Sequence, residues 1–214
     1  MRNWKDSPTH ERGRMIFIRS EPARRYGRHT AYRAQLRRDF RFRCAYCLTH
    51  ERYLGGPAGC TIDHFRPVSG PHGRPDLVTE YANLYWTCRE CNDNKSDTWP
   101  TSEQVELGLH FIDPCSPDGD HDLHWQAYAD GSIEPLTPAG EFTIEHLMLW
   151  RDQLAYHRRR LYRWQCELDL LADLLARKRI PETDRVRLEA RIVELGEYLD
   201  PPVFDRPTRR REGN

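Results

Sequence analysis

Four cysteines constrain this chain more than any other feature. Cys44 and Cys47 close one C-x-x-C turn (CAYC), Cys88 and Cys91 close a second (CREC), and 40 residues separate the two pairs. Two such knuckles supply the tetrahedral thiolate set that Zn²⁺ prefers, at Zn–S distances of about 2.3 Å. A redox C-x-x-C motif comes singly and beside a βαβ pattern, and no such pattern is seen here. An ordinary zinc ribbon leaves only about 15 to 20 residues between its knuckles, so this metal must tie together something built in between. Cys60, Cys115 and Cys166 have no paired spacing and are expected to be buried thiols.

What lies between the knuckles is short and irregular. CTIDHF (60–65) and NLYWTC (83–88) have the β-branched and aromatic content of two strands, the insert RPVSGPHGRPDLVTEYA is loop, and ECNDNKSDTW opens a helix that Pro100 limits. Asp63 and His64 break the apolar pattern of the first strand. They are the residues that ordinary strand chemistry explains least.

The flanks differ sharply in charge. The net charge of zero hides +9 over residues 1–50, −2 over 51–100, −10 over 101–150 and +3 over 151–214. The basic N-terminal end suits an anionic partner. In EPARRYGRHTAYRAQLRRDFRFR, Tyr32, Leu36 and Phe40 form one helical stripe with Arg33, Arg37, Arg38 and Arg41 around it, either a nucleic-acid-binding helix or a solvated face. After the knuckles, HWQAYADGSIEPLT carries a DG hairpin signal. Leu147, Leu154, Leu161, Leu168 and Leu175 then recur every seven residues as a long amphipathic helix ended by Pro181, and Leu188, Ile192, Leu195 and Leu199 line a second, giving an αα-hairpin. His110, His121 and His124 lie in the acidic region, where HDLH suggests either a second metal or structural histidines. No apolar run approaches the ~18 residues of a membrane span, and MRNWKDSPTH lacks the apolar core of a secretory signal. The expected compartment is the cytoplasm, without disulfides.

The ordered elements C-x2-C, IDHFRP, NL and C-x2-CN-x2-K resemble the HNH nuclease family over about residues 40–99, with Asn92 where the last His of the family motif stands. The expected fold class is therefore α+β: a zinc-stabilised ββα-metal, treble-clef-like core with an N-terminal basic helix and a C-terminal helical hairpin. The expected division is a basic arm and helix at 1–39, a nuclease core at 40–105, a hairpin and αα-hairpin at 106–200, and a basic tail at 201–214. By this resemblance His64 is the general base, Asp63 and Asn92 hold one divalent cation, Mg²⁺ or Mn²⁺, and Asn83 steadies the loop and the histidine. Cys44, Cys47, Cys88 and Cys91 hold structural Zn²⁺. Arg66, Lys95, Arg37 and Arg38 are the candidate phosphate contacts.

The function so implied is phosphodiester hydrolysis of nucleic acid, with DNA expected ahead of RNA. The C-terminal portion resembles HNH proteins of bacterial anti-phage systems such as Septu, which implies a defence role beside an ATPase partner. The alternative is a non-catalytic, zinc-stabilised nucleic-acid-binding module. A further expectation, compatible with either, makes the acidic region and αα-hairpin a docking surface for a regulator.

Overall fold

The structure is a computed structural model that describes residues 17–176 and 180–199. The basic tail and the first sixteen residues of the N-terminal arm lie outside the described residues.

The centre is an antiparallel pair, β1 (Cys60–His64) and β2 (Leu84–Cys88), in register from Cys60 opposite Cys88 to His64 opposite Leu84. A two-stranded hairpin is marginal by itself in water. Here every residue of β2 is buried, so both of its faces are covered. One cover is α1 (Arg33–Asp39), entered through a 3-10 turn at His29–Tyr32, and it presents the expected stripe: Tyr32, Leu36 and Phe40 are all buried. Phe40 packs on Tyr85 with ring centroids 5.4 Å apart. The helix is much shorter than the basic segment suggests, and its arginines are largely structural. Arg33 lies over the Trp86 ring and donates to the Pro57 and Cys60 carbonyls, and Arg37 forms an ion pair with the buried Glu51 at 2.6 Å.

From β2 the chain passes directly into α2 (Arg89–Lys95), completing the expected ββα unit. This helix ends at Lys95, five residues before Pro100. Ser96 stops it by adopting φ 49°, ψ −131°, a conformation that is strained for a residue with a side chain. A short α3 (Ser102–Glu106) follows, opened by a capping box from Thr101 and Gln104. One turn of helix, α4 (His121–His124), then leads into a small hairpin of β3 (Trp125–Ala127) and β4 (Ile133–Pro135), as the DG dipeptide implies.

The C-terminal helices depart from expectation at one point. The leucine series begins at Leu147, but the long helix does not: α5 (Pro138–His146) ends first, and Met148 turns the chain with φ 48° before α6 (Asp152–Leu175) starts. Leu147 and Leu149 are buried in that turn against the core, so the heptad spacing spans two elements. The second helix, α7 (Glu182–Leu199), pairs with α6 as expected, with Trp164 stacked on Tyr198 at 4.9 Å. Cys60 is buried as expected, whereas Cys166 on α6 is exposed. Among the described residues, no helix is long and apolar enough to cross a membrane.

Candidate active site and zinc knuckles

The two knuckles meet. The Sγ atoms of Cys44, Cys47, Cys88 and Cys91 all lie within 4.8 Å of one another, with Cys47 and Cys88 4.0 Å apart. Tetrahedral coordination with Zn–S of about 2.3 Å places sulfurs about 3.8 Å apart, so the set fits Zn²⁺. Local structure explains the convergence. The first knuckle is a tight turn in which the Leu48 amide returns to the Cys44 carbonyl. In the second, Cys88 is the N-cap of α2 and its sulfur accepts from the Cys91 amide, so helix-terminal donors face the thiolate.

Arg151, which sequence reasoning did not single out, completes this shell. Its guanidinium lies 3.2 Å from Cys91 Sγ and 3.1 Å from Glu90. Burial opposes its charge, but the Cys91 sulfur holds it above its ordinary range. A buried cation beside four thiolates offsets their excess negative charge. Its position at the foot of α6 gave no local signal in the sequence.

A cleft of about 320 Å³ opens at the far end of the hairpin. Asp63, His64 and Asn92 all line it, with Pro67, Val68, Ser69, Ser96 and Asp97 around them. At about 30 Å³ per water it has room for roughly ten, enough for a hydrated cation and a phosphate. Asp97 is a further acid at this wall that the motif-based reading passed over. Gly70 stands against it with φ +79°, and a Cβ there would meet Asp97 Oδ2 at 2.4 Å. Only glycine satisfies both demands at that rim.

The two adjacent motif residues have separate partners, as strand alternation requires. Asp63 is buried: its carboxylate accepts from the Tyr46 hydroxyl at 2.5 Å and pairs with Lys95 Nζ at 3.2 Å. Burial pushes the Asp63 carboxyl above the usual carboxylate range, with Lys95 and Tyr46 pulling it back. Burial likewise lowers the Lys95 ammonium. Lys95 is fully buried and also donates to the His64 carbonyl at 2.8 Å. The expectation that Lys95 contacts phosphate is therefore corrected: its ammonium is spent on the floor of the site. Arg37, held by Glu51, is corrected on the same ground.

His64 is half-buried, and its Nε2 lies 2.9 Å from the Val78 carbonyl. A carbonyl only accepts, so Nε2 carries the proton and a neutral ring leaves Nδ1 free as a base. The His29 ring stands edge-on to it at 5.2 Å. Burial, and secondly His64 itself, lower the His29 pKa. Nothing in the sequence around His29 marks this contact.

Asn83 acts on the loop rather than in the cleft. Its Oδ1 accepts from the Arg66 amide at 2.8 Å and its Nδ2 donates to the Arg66 carbonyl at 3.0 Å. These two bonds extend the β-ladder by one side chain and fix the exit from His64. The Arg66 guanidinium then lies over Trp99 at 4.4 Å, with Nε buried and lacking a protein hydrogen-bond partner. Arg38 is exposed on α1. His121 and His124 lie apart from any cluster of metal-binding groups among the described residues. His121 is buried against Trp125, and His124 is bonded to Thr137 and the Asp118 carbonyl.

Comparison with curated proteins and with solved structures gave no match. Residues 44–98 match the family model described as HNH endonuclease. That span starts at the first cysteine of the paired knuckles and ends just beyond the cleft residue Asp97, and over it the chain is similar to HNH endonucleases.

Proposed function

We propose that the protein is a metal-dependent nuclease in which His64 is the general base and Asp63 and Asn92 hold one divalent cation. An HNH endonuclease domain implies metal-dependent hydrolysis of nucleic acid, and the residue roles rest on one observation: Asp63, His64 and Asn92 line the same cleft. The donors suit a hard ion. A carboxylate has about four acceptor positions; Tyr46 and Lys95 use part of that capacity at Asp63, and the amide oxygen of Asn92 adds a neutral ligand. Such an oxygen set favours Mg²⁺ or Mn²⁺ with retained water. When bound, the cation polarises the phosphate and stabilises charge on the leaving oxygen.

The chain's own part is to place groups. His64 Nδ1 accepts the proton of the attacking water while the Val78 carbonyl holds the ring's tautomer. Asn83 keeps the strand exit rigid, and Arg66, stacked on Trp99 and one residue before the cleft residue Pro67, offers its guanidinium to a phosphate oxygen. DNA is the proposed substrate ahead of RNA. The hairpin and αα-hairpin beyond the core carry the proposal of a role in bacterial anti-phage defence with an ATPase partner, in the cytoplasm; co-purification with the product of a neighbouring gene tests it.

A second reading, a zinc-stabilised binding module without catalysis, is favoured by the Asp63–Lys95 pair, because the ammonium already supplies a cation to the motif acid. Cleavage of plasmid and RNA in Mg²⁺ or Mn²⁺ separates the two. The nuclease reading expects His64→Ala to lose at least about a hundredfold in rate with zinc content and fold intact. Undiminished cutting by that variant refutes the assignment of the base, and a wild type that cuts nothing favours the binding module.

A further inference from the structure

We infer that the first half of α6, with the turn before it, is a second nucleic-acid contact surface that holds the strand beyond the scissile phosphate. This deepens the nuclease reading and rests on it for the identity of the strand. Residues 151–165 contain five arginines and one acid. Two of the five are structural: Arg151 serves the thiolates, and Arg158 donates to the Gly131 and Leu149 carbonyls. The other three, with Tyr156, fall at i, i+3, i+4 and i+7, which is one face of the helix. Among the described residues none of Arg159, Arg160 and Arg163 has an ion-pair partner.

The face has the two components that single-strand binding uses, cationic groups and exposed rings. Tyr156 is 53 % exposed, with the Arg159 and Arg160 guanidinium groups 5.5 and 5.7 Å from its centroid. Arg160 is also held 4.6 Å from the Trp164 ring, so its orientation is set before any ligand arrives. Trp150, in the preceding turn, is 53 % exposed as well. A face made only for packing would bury these rings and pair these charges.

The surface is tied to the catalytic helix. Asn94, two residues after Asn92 on α2, donates to the Leu147 carbonyl at 3.1 Å, and Arg151 reaches back to Glu90 and Cys91. From Arg151 to Arg163 the helix runs about 18 Å at 1.5 Å per residue, long enough to follow several phosphates of one strand, which rise about 3.4 Å each along a duplex axis. The chemistry is that of a phosphate backbone with bases able to stack, and carries no sequence preference.

The test uses the full zinc-loaded protein and the double variant Arg159→Gln/Arg163→Gln, whose side chains take no part in the core or cleft. Binding of a labelled single strand of ~30 nucleotides and of the matching duplex is measured across salt. The inference expects about tenfold weaker binding and a salt slope flatter by about one unit per arginine removed, recovered in Arg159→Lys/Arg163→Lys. Hydrolysis of bis(p-nitrophenyl) phosphate, too small to reach α6, stays unchanged. Unaltered affinity and slope in the Gln variant overturn the inference while leaving the nuclease reading intact. A wild type that binds through these arginines but hydrolyses neither substrate supports the inference and refutes the nuclease reading. A wild type that neither binds nor cuts overturns both, and a change in oligomeric state with unaltered nucleic-acid binding overturns the inference in favour of a second copy of the chain.

Discussion

Replacing Lys95 with methionine tests the floor of the site most directly. The side chain keeps most of its length and loses its charge, leaving Asp63 5 % exposed with Tyr46 as its remaining donor and the His64 carbonyl without its 2.8 Å partner. Removing one member of a buried ion pair costs about 3–5 kcal/mol, and the lost donor to His64 adds about 1 kcal/mol. Protonation relieves part of this, because burial already raises the Asp63 pKa and the loss of Lys95 raises it further. The net expectation is about 3 kcal/mol at neutral pH, or a fall of about 6–12 °C in Tm for a chain of this size. The sign with pH follows. A carboxyl whose folded pKa lies above its unfolded value of 3.8 gives stability that is full below that value and lost as pH rises through the folded one. The deficit of Lys95→Met relative to wild type therefore widens from acid toward neutral pH. Thermal unfolding in excess zinc measures it, with Asp63→Leu/Lys95→Met as the companion, expected to be more stable than the single variant because neither charge is stranded, although the His64 carbonyl and the Tyr46 hydroxyl still lose their partners. A single variant within about 0.5 kcal/mol of wild type, the level of an ordinary surface change, or a double variant no more stable than the single, refutes the reasoning.

Arg151→Gln should weaken zinc binding 10- to 100-fold, as loss of an outer-shell partner does elsewhere; competition with a chromophoric chelator measures this, and an unchanged affinity removes the role given to Arg151. Stripping the zinc should abolish cooperative unfolding of the β1–β2 unit, since a hairpin of five-residue strands is marginal without its staple; near-ultraviolet circular dichroism that survives metal removal contradicts this. Asn83→Ala strands the amide and carbonyl of Arg66, for about 2 kcal/mol, and lowers cleavage with the loop; urea unfolding midpoints read the first effect. Burial lowers His121 to about 3 and His157 to about 4, from 6.5. Each gives stability present above pH 6.5 and lost as pH falls through its folded value, roughly 3 kcal/mol from each by pH 4. His121→Phe, which keeps the stack on Trp125, should flatten the acid limb of stability against pH relative to wild type, and parallel limbs would count against this account.

The knuckles, both core strands and the helix after them were legible because each has a local signature: cysteine spacing, β-branched runs, and a chain that turns helical at a cysteine. The boundaries that failed are those set by tertiary context. The leucine spacing from 147 to 175 is continuous in sequence, yet Leu147 is drawn into the core with Leu149, and the chain must turn at Met148 before α6 begins. Lys95 was misplaced for a related reason. A lysine after a C-terminal knuckle looks like a surface charge, and only the fold, by setting its ammonium over the Phe111 ring and against Asp63, makes it interior. Arg151 and His29 reach their sites from 60 and 35 residues away in sequence, a separation that carries no pattern within a single chain.

The pair Asp63–His64 shows how strand geometry divides a site's work. Because β1 stays regular through His64 opposite Leu84, the two side chains leave the backbone in opposite directions. Asp63 goes to Tyr46 and Lys95, and His64 goes to Val78 and His29. Both still border the cleft, which Ile62, on the same face of β1 as His64, also lines. In the nuclease reading this separates the two electrostatic tasks. The acid is fixed from below by a cation that cannot leave, and the base keeps a nitrogen toward solvent. Lys95 also donates to the carbonyl of His64 itself, so one buried ammonium sets the position of the acid and of the base's backbone together. Its substitution should therefore reduce cleavage more than a change in the affinity for the cation accounts for: kcat at saturating Mn²⁺ falls along with the apparent metal affinity. A Lys95→Met enzyme restored to the full wild-type rate by excess Mn²⁺ would limit Lys95 to holding Asp63.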